Sequence, residues 1–175
     1  MYVGHLGFAL AGKGWRQKAP LWLLVLATQG CDWVQVVACV AGPASASAMW
    51  SHSIPAVLVL ATALSLGSYL GTRDRALALL VGAITISHIV ADYATGAKPT
   101  WPGGPVIGLN LYSHAPLDFL LESAVVSAGW VIYRRSLPAE AAGKQLTWLL
   151  LCALVGMQLL GAADLAFLPR TPKCM

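Results

Sequence analysis

Charge is what this sequence has least of. Only 10% of its 175 residues are Asp, Glu, Lys or Arg, while 58% are hydrophobic; a soluble domain carries about 25% charged residues. That shortage excludes a solvated globular surface. Apolar stretches of about 20 residues recur along the whole length, so nothing is left over for a soluble domain. Cysteine is sparse and unpatterned: Cys31, Cys39, Cys152 and Cys174 form no C-x-x-C pair and no zinc-finger spacing, which removes a redox motif and a structural zinc module. The first three fall in apolar segments, where a thiol packs as a small core residue. Cys31 precedes Asp32, but adjacent residues on a helix do not share a face, so it is a weak ligand candidate. A basic run for nucleic acid is also missing, because the Lys and Arg behind the net charge of +4 lie in short connections. No signal peptide is expected either, since Lys13, Arg16 and Lys18 follow the first apolar stretch instead of preceding it.

What remains reads as an all-α, polytopic membrane helical bundle, residues 1–175, with five transmembrane helices plus a short N-terminal helix. Spans are expected at about 20–40, 51–71, 76–94, 116–133 and 145–168. Residues 2–12 are apolar but too short to cross, since a helix of that length covers roughly 16 Å. A basic loop follows at 13–18. Ser51 or Ser53 is the expected N-cap of the second span, with Pro55 in its first turn. The segment 95–113, rich in Pro and Gly, has the length of a lid. Trp15, Trp22, Trp50, Tyr69, Trp101, Tyr112, Trp130 and Tyr133 read as interfacial belts.

The connections at 13–19, 73–75 and 134–144 hold eight of the eleven Lys and Arg residues, whereas 41–50 and 95–113 hold only Lys98. The excess of positive charge on cytoplasmic loops puts the first set, including the N-terminal basic loop, in the cytoplasm, so the other loops face outward, which in a bacterium is the periplasm or cell exterior.

Against that frame the ionisable residues sort to one side. Counted at about 1.5 Å per residue, Asp32, His52, His88, Asp92, His114, Asp118, Glu122 and Asp164 all fall in the outer half. Of seven acids only Asp74 and Glu140 lie in the inner loops. His88 and Asp92 are four apart and share a helix face, and His114, Asp118 and Glu122 repeat that spacing twice. An Asp at a span centre costs about 2.5–3.5 kcal/mol on the insertion scale, so such residues call for a reason. His5 falls near mid-bilayer, just within reach of Asp32. A lone intramembrane His or Asp is often a helix–helix hydrogen-bonding residue, and Asp164 is read that way or as interfacially exposed. Imidazole and carboxylate together are the donors that suit zinc, iron or manganese, and a spare carboxylate can serve as general base.

The order of motifs carries a resemblance. Gly4-His5 opens the chain and Asp32-Trp33 comes late in the first span. Ser51-His52-Ser53 opens the second span, and Ser87-His88-Ile89-Val90-Ala91-Asp92 closes the third. Over roughly residues 1–125 this resembles the small bacterial inner-membrane proteins described as LexA-regulated, membrane-bound metal-dependent hydrolases. The resemblance implies metal ligands at His5, Asp32, His52, His88 and Asp92. It departs from the family pattern in having a single acid, Asp32, in the aspartate motif, and Ala48-Met49-Trp50 before the second histidine.

The expectation is therefore a metal-dependent hydrolase of an ester or phosphoester with an outward-facing site. His5, Asp32, His52, His88, Asp92 and His114 would hold a divalent metal, zinc first, with iron or manganese as alternatives. Glu122 or Asp118 would act as base. The expected partners are membrane lipids and a lipid or small-molecule substrate, with no nucleic acid. The competing readings are a small non-enzymatic transporter or ion- and proton-handling protein, which would need polar residues in the inner half too, and an assembly protein whose polar residues only knit helices together.

Overall fold

The structure, a computed structural model, describes residues 3–41 and 50–167. Most of the small-residue connection expected at 41–50 lies outside these residues, as do Cys174 and the last residue of the fifth expected span. Seven helices are described: α1 His5–Trp15, α2 Leu21–Ala41, α3 Ile54–Thr72, α4 Arg75–Thr95, α5 Ala115–Ser136, α6 Ala139–Ala142 and α7 Gln145–Phe167. Of these, α2, α3, α4, α5 and α7 are long and apolar enough to cross a membrane. Their ends fall within three residues of the expected spans. The molecule is an all-α membrane bundle.

Local chemistry sets the helix ends. Ser53 adopts an extended backbone before α3 and Pro55 sits in its first turn, where proline's missing N–H costs nothing. Asp74 caps α4 by accepting the Leu77 backbone N–H at 3.0 Å, and its other oxygen pairs with Arg16 at the end of α1.

The helix α1 runs further than the sequence suggested. It continues through Lys13-Gly14-Trp15, which had read as a basic loop. No proline interrupts the chain before Pro20, and Lys13 closes the helix by donating to the carbonyls of Gln17 at 2.6 Å and Ala19 at 2.9 Å. A cation in the last turn also suits the helix dipole.

This short helix is the wedge of the bundle. On one side Ala9 joins Leu23, Leu24 and Ala27 of α2 and Leu77, Val81 and Ile84 of α4. On the other side its neighbour Leu10 joins Val126 and Trp130 of α5 and Leu154 of α7. Two glycines permit the contact with α5. A Cβ on Gly7 would lie 2.5 Å from the Val125 carbonyl oxygen, and one on Gly129 would lie 2.0 Å from that of Gly7. Small residues that let backbones touch are the usual means of packing helices in lipid. A helix too short to cross is tolerable at membrane depth only when protein surrounds it, and α1 meets that condition.

The α2 and α4 helices are central, burying 44% of their most apolar stretches inside the chain, whereas α3 and α7 bury only 17% and present residues such as Val59, Leu66, Leu149 and Leu160 outward. Trp130 corrects the belt reading: it is 4% exposed, and its indole N–H donates to the Thr147 carbonyl at 2.7 Å. The 96–113 segment folds as a small hairpin, β1 Lys98–Pro99 antiparallel to β2 Val106–Ile107. It is pinned to the start of α3, because the Ile54 backbone N–H donates to the Thr100 carbonyl at 2.9 Å.

Candidate metal centre

Five ionisable side chains from four elements meet at one end of the bundle. His5 comes from the first turn of α1 and Asp32 from α2. His52 comes from the 3-10 turn Trp50–His52 that leads into α3, while His88 and Asp92 occupy consecutive turns of α4. All are buried except Asp32, which is half-buried. Asp92 is the hub. One of its oxygens lies 3.4 Å from His5 Nε2; the other lies 3.4 Å from His52 Nε2 and 3.4 Å from His88 Nε2. Asp32 Oδ1 stands 3.1 Å from His52 Nε2 and 4.0 Å from His88 Nε2. The rings of His5 and His88 stack with centroids 4.0 Å apart. Two donor groups emerge, His5–His88–Asp92 and Asp32–His52–His88, each with its ligand atoms within 4.8 Å of one another.

The surrounding hydrogen bonds fix which nitrogens are donors. His88 Nδ1 sits 2.7 Å from the Thr28 carbonyl. A carbonyl only accepts, so Nδ1 carries the proton and a neutral ring leaves its lone pair on Nε2. His52 is fixed through two links. Ser51 Oγ donates to Gln35 Oε1 at 2.8 Å, so the same hydroxyl must accept from His52 Nδ1, which is 2.9 Å away. In their neutral forms both rings therefore turn a bare Nε2 toward carboxylate oxygens. Lone pair facing lone pair at these distances is repulsive unless a cation lies between, and Asp32 Oδ2 and His88 Nε2 are buried with no hydrogen-bond partner among the described residues.

Protonation is the other way to relieve that repulsion, and for His5 and His52 burial opposes it. Desolvation outweighs the nearby Asp92 and holds His5 down at about 4. His52 is likewise lowered, by burial first and by the charge of Lys98 as well, against the pull of Asp32. Both are thus neutral near pH 7, the form in which imidazole binds metal. The donor set of three imidazoles and two carboxylates fits a divalent transition metal, and it carries the outer anchoring that metal-binding histidines normally have.

The second expected group does not converge on this point. Asp118 and Glu122 are buried on α5, but neither enters a donor group among the described residues. Glu122 Oε2 accepts the Gly4 backbone N–H at 3.0 Å, so it holds the start of α1 beside His5. Asp118 Oδ1 is buried with no hydrogen-bond partner among the described residues. His114 is exposed, with Nδ1 beside Ser113 Oγ at 2.9 Å. Asp164 is exposed as well. The free thiol of Cys31 is buried but joins neither donor group.

Thr28, Gln35 and Ser51 were missed from sequence. A signal for the first two existed: Thr28, Asp32 and Gln35 fall at i, i+4 and i+7, a polar stripe along one face of an apolar span. The Thr28 contribution is a backbone carbonyl, which no side-chain pattern announces.

Comparison of the chain with family models, with curated proteins and with solved structures finds no match.

Proposed function

We propose that the protein is a membrane-embedded, metal-dependent hydrolase of an ester or phosphoester, of the kind its motif order resembles. The observation that carries this reading is the convergence of His52 and His88, each with Nδ1 committed elsewhere, on the carboxylates of Asp32 and Asp92. His5, Asp32, His52, His88 and Asp92 would hold the ion, zinc first by donor type. A divalent ion there supplies Lewis acidity, polarising an ester or phosphoryl oxygen and making water a competent nucleophile near neutral pH.

The chain's own residues do the rest. Because Thr28 occupies His88 Nδ1, His88 offers one nitrogen, and both donor groups include it. One lone pair binds one ion, so the two groups cannot both be filled completely, which supports a single ion drawing on both. Of the two acids on α5, Glu122 is engaged with Gly4. Asp118 keeps an oxygen without a hydrogen-bond partner among the described residues, so of the two it is the acid free to act as base on a substrate that reaches from the donor groups, which it does not itself join. The distribution of Lys and Arg supports a cytoplasmic N-terminal basic loop in a bacterial inner membrane, with the donor cluster toward the outside.

Elemental analysis of purified protein tests the reading. Bound zinc, iron or manganese in the wild type, lost in a His88→Ala, Asp92→Ala double variant, is the expected result. No transition metal in the wild type, or unchanged metal in the double variant, would overturn it. A screen of phosphoester and lipid substrates then tests hydrolysis, and robust ion flux in liposomes without hydrolysis would favour the transporter alternative.

A further inference from the structure

Lys98 is the one cation of the connections expected on the outer side, 41–50 and 95–113, and it stands outside the donor cluster. It lies on β1, outside the spans, and only 8% of it is exposed. Lys is almost never buried unless paired. Yet no carboxylate lies within ion-pair distance of its ammonium among the described residues; the ion pairs formed there involve only Asp32, Asp74 and Asp92 with His5, Arg16, His52 and His88. Nor does its ammonium make a hydrogen bond among them.

The fold puts this cation next to the cluster. The hairpin turns Lys98 and Pro99 inward while their strand partners Ile107 and Val106 stay exposed. Thr100 fixes the hairpin to Ile54, two residues beyond His52.

Charge balance then says what this end of the bundle lacks. Asp32 and Asp92 would offset a divalent ion, and an imidazole binds metal in its neutral form. Lys98 leaves one positive charge over, on a largely buried side chain with no counterion among the described residues. A neutral carboxylic ester would leave that charge unmatched, whereas a phosphoester brings the missing anion. An ammonium is an established phosphate partner, acting as a point charge with three donors.

We infer that Lys98 binds the anionic phosphoryl group of the substrate, which makes the substrate a phosphoester. This rests on the metal-dependent reading for its charge balance, but Lys98 can be tested apart from it. The phosphoryl group could belong to a lipid headgroup, reached beside the exposed Trp101, Val106 and Leu109 of the hairpin, or to a soluble phosphoester.

The test uses the full chain in a phosphate-free maltoside detergent, with and without added zinc. Inorganic phosphate is the probe, read by calorimetry, and zinc content is measured separately on the same samples. Lys98→Met should weaken phosphate binding about tenfold or more, the loss of a hydrogen bond to a charged group, and leave zinc content unchanged. Lys98→Arg should retain most of the phosphate affinity, and intact zinc binding in both variants shows that they fold. Phosphate binding in Lys98→Met equal to wild type, or no phosphate binding by zinc-loaded wild type, overturns the inference even if zinc binds. Absence of zinc from the wild type sinks the metal reading instead, and Lys98-dependent phosphate binding to that zinc-free protein would still support the Lys98 site. Phosphatidic acid added to the micelles displaces phosphate if the group comes from a lipid, and soluble glycerol phosphate displaces it better if it does not.

Discussion

Replacing Ser51 with alanine removes one oxygen that is 3% exposed with its residue and touches no proposed ligand atom, yet it should loosen the metal. The hydroxyl ties His52 Nδ1 at 2.9 Å to Gln35 Oε1 at 2.8 Å. Without it the imidazole loses the acceptor that keeps its proton on Nδ1. The Nε2–H tautomer then becomes favourable, because Nε2 can donate to Asp32 Oδ1 at 3.1 Å. That tautomer has no lone pair on the nitrogen facing the site. Outer anchors of metal-bound histidines are worth about 10–100-fold in affinity, or roughly 1.4–2.7 kcal/mol. The lost hydrogen bonds should also cost about 1–3 kcal/mol of fold stability, so binding must be read on folded protein. Zinc competition against a chromogenic chelator gives the affinity, and a monodisperse chromatographic peak gives the folding control. Ser51→Thr keeps the hydroxyl and should bind close to wild type. If Ser51→Ala holds zinc within about twofold of wild type while His52→Ala loses it, the assignment of the tautomer is wrong.

Glu122→Ala should weaken zinc binding by moving the start of α1 and with it His5, whereas Glu122→Gln, whose carbonyl can still accept the Gly4 N–H, should preserve it; equal loss in both would point to the charge instead. Gly129→Ala pushes a methyl group to 2.0 Å from the Gly7 carbonyl oxygen and should destabilise the bundle by about 1–3 kcal/mol or more, while Gly156→Ala, with nothing within 4 Å of the new Cβ, should not lower the thermal midpoint in detergent. Asp74 provides a pH test away from the metal: the Leu77 backbone N–H, helped by Arg16, holds its carboxyl below the ordinary value of 3.8. Its contribution is therefore complete above that value and is lost as pH falls through the lowered folded-state one. Thermal unfolding across that range should fall less steeply in Asp74→Asn than in wild type, and parallel profiles would refute the assignment.

The spans were legible because each is a long apolar run ended by a marker the chain cannot hide, such as Arg73-Asp74-Arg75 or Pro55. The wedge position of α1 was not, because an apolar 11-residue helix reads alike whether it lies on a membrane or inside a bundle. What decides is the fit of Gly7 to Gly129, a match between glycines more than 100 residues apart. The donor cluster was legible in part. His88 and Asp92 announce themselves by local spacing, and Asp32 and His52 by depth. His5 was placed near Asp32 by depth alone, whereas its nearest carboxylate is Asp92. The i, i+4 repeat of His114, Asp118 and Glu122 was a sound helix-face argument that failed at its first member. His114 precedes the first helical residue, Ala115, so helical spacing does not govern where its ring points. Lys98 looked like a stray loop charge because nothing in sequence shows that a two-residue strand turns it inward.

The arrangement also bears on how the bundle holds together. Asp32 and Asp92 both approach the same nitrogen of His52, at 3.1 and 3.4 Å, so two carboxylates crowd one buried point. Ionised and without a cation they repel, and the Nδ1 atoms of His88 and His52 are committed to Thr28 and Ser51. A cation that binds only the folded arrangement would draw its affinity partly from relieving that repulsion and would stabilise the fold in return. Each donor is held from behind: His88 by a backbone carbonyl of α2, His52 by Ser51, and His5 through Gly4 and Glu122 of α5. For His88 and His5 the anchor comes from a different helix than the ligand, and Ser51 is tied in turn to Gln35 of α2. Filling the site therefore couples α1, α2, α4 and α5 at the end where the short α1 begins, and a repulsive cluster among apolar helices becomes their point of attachment.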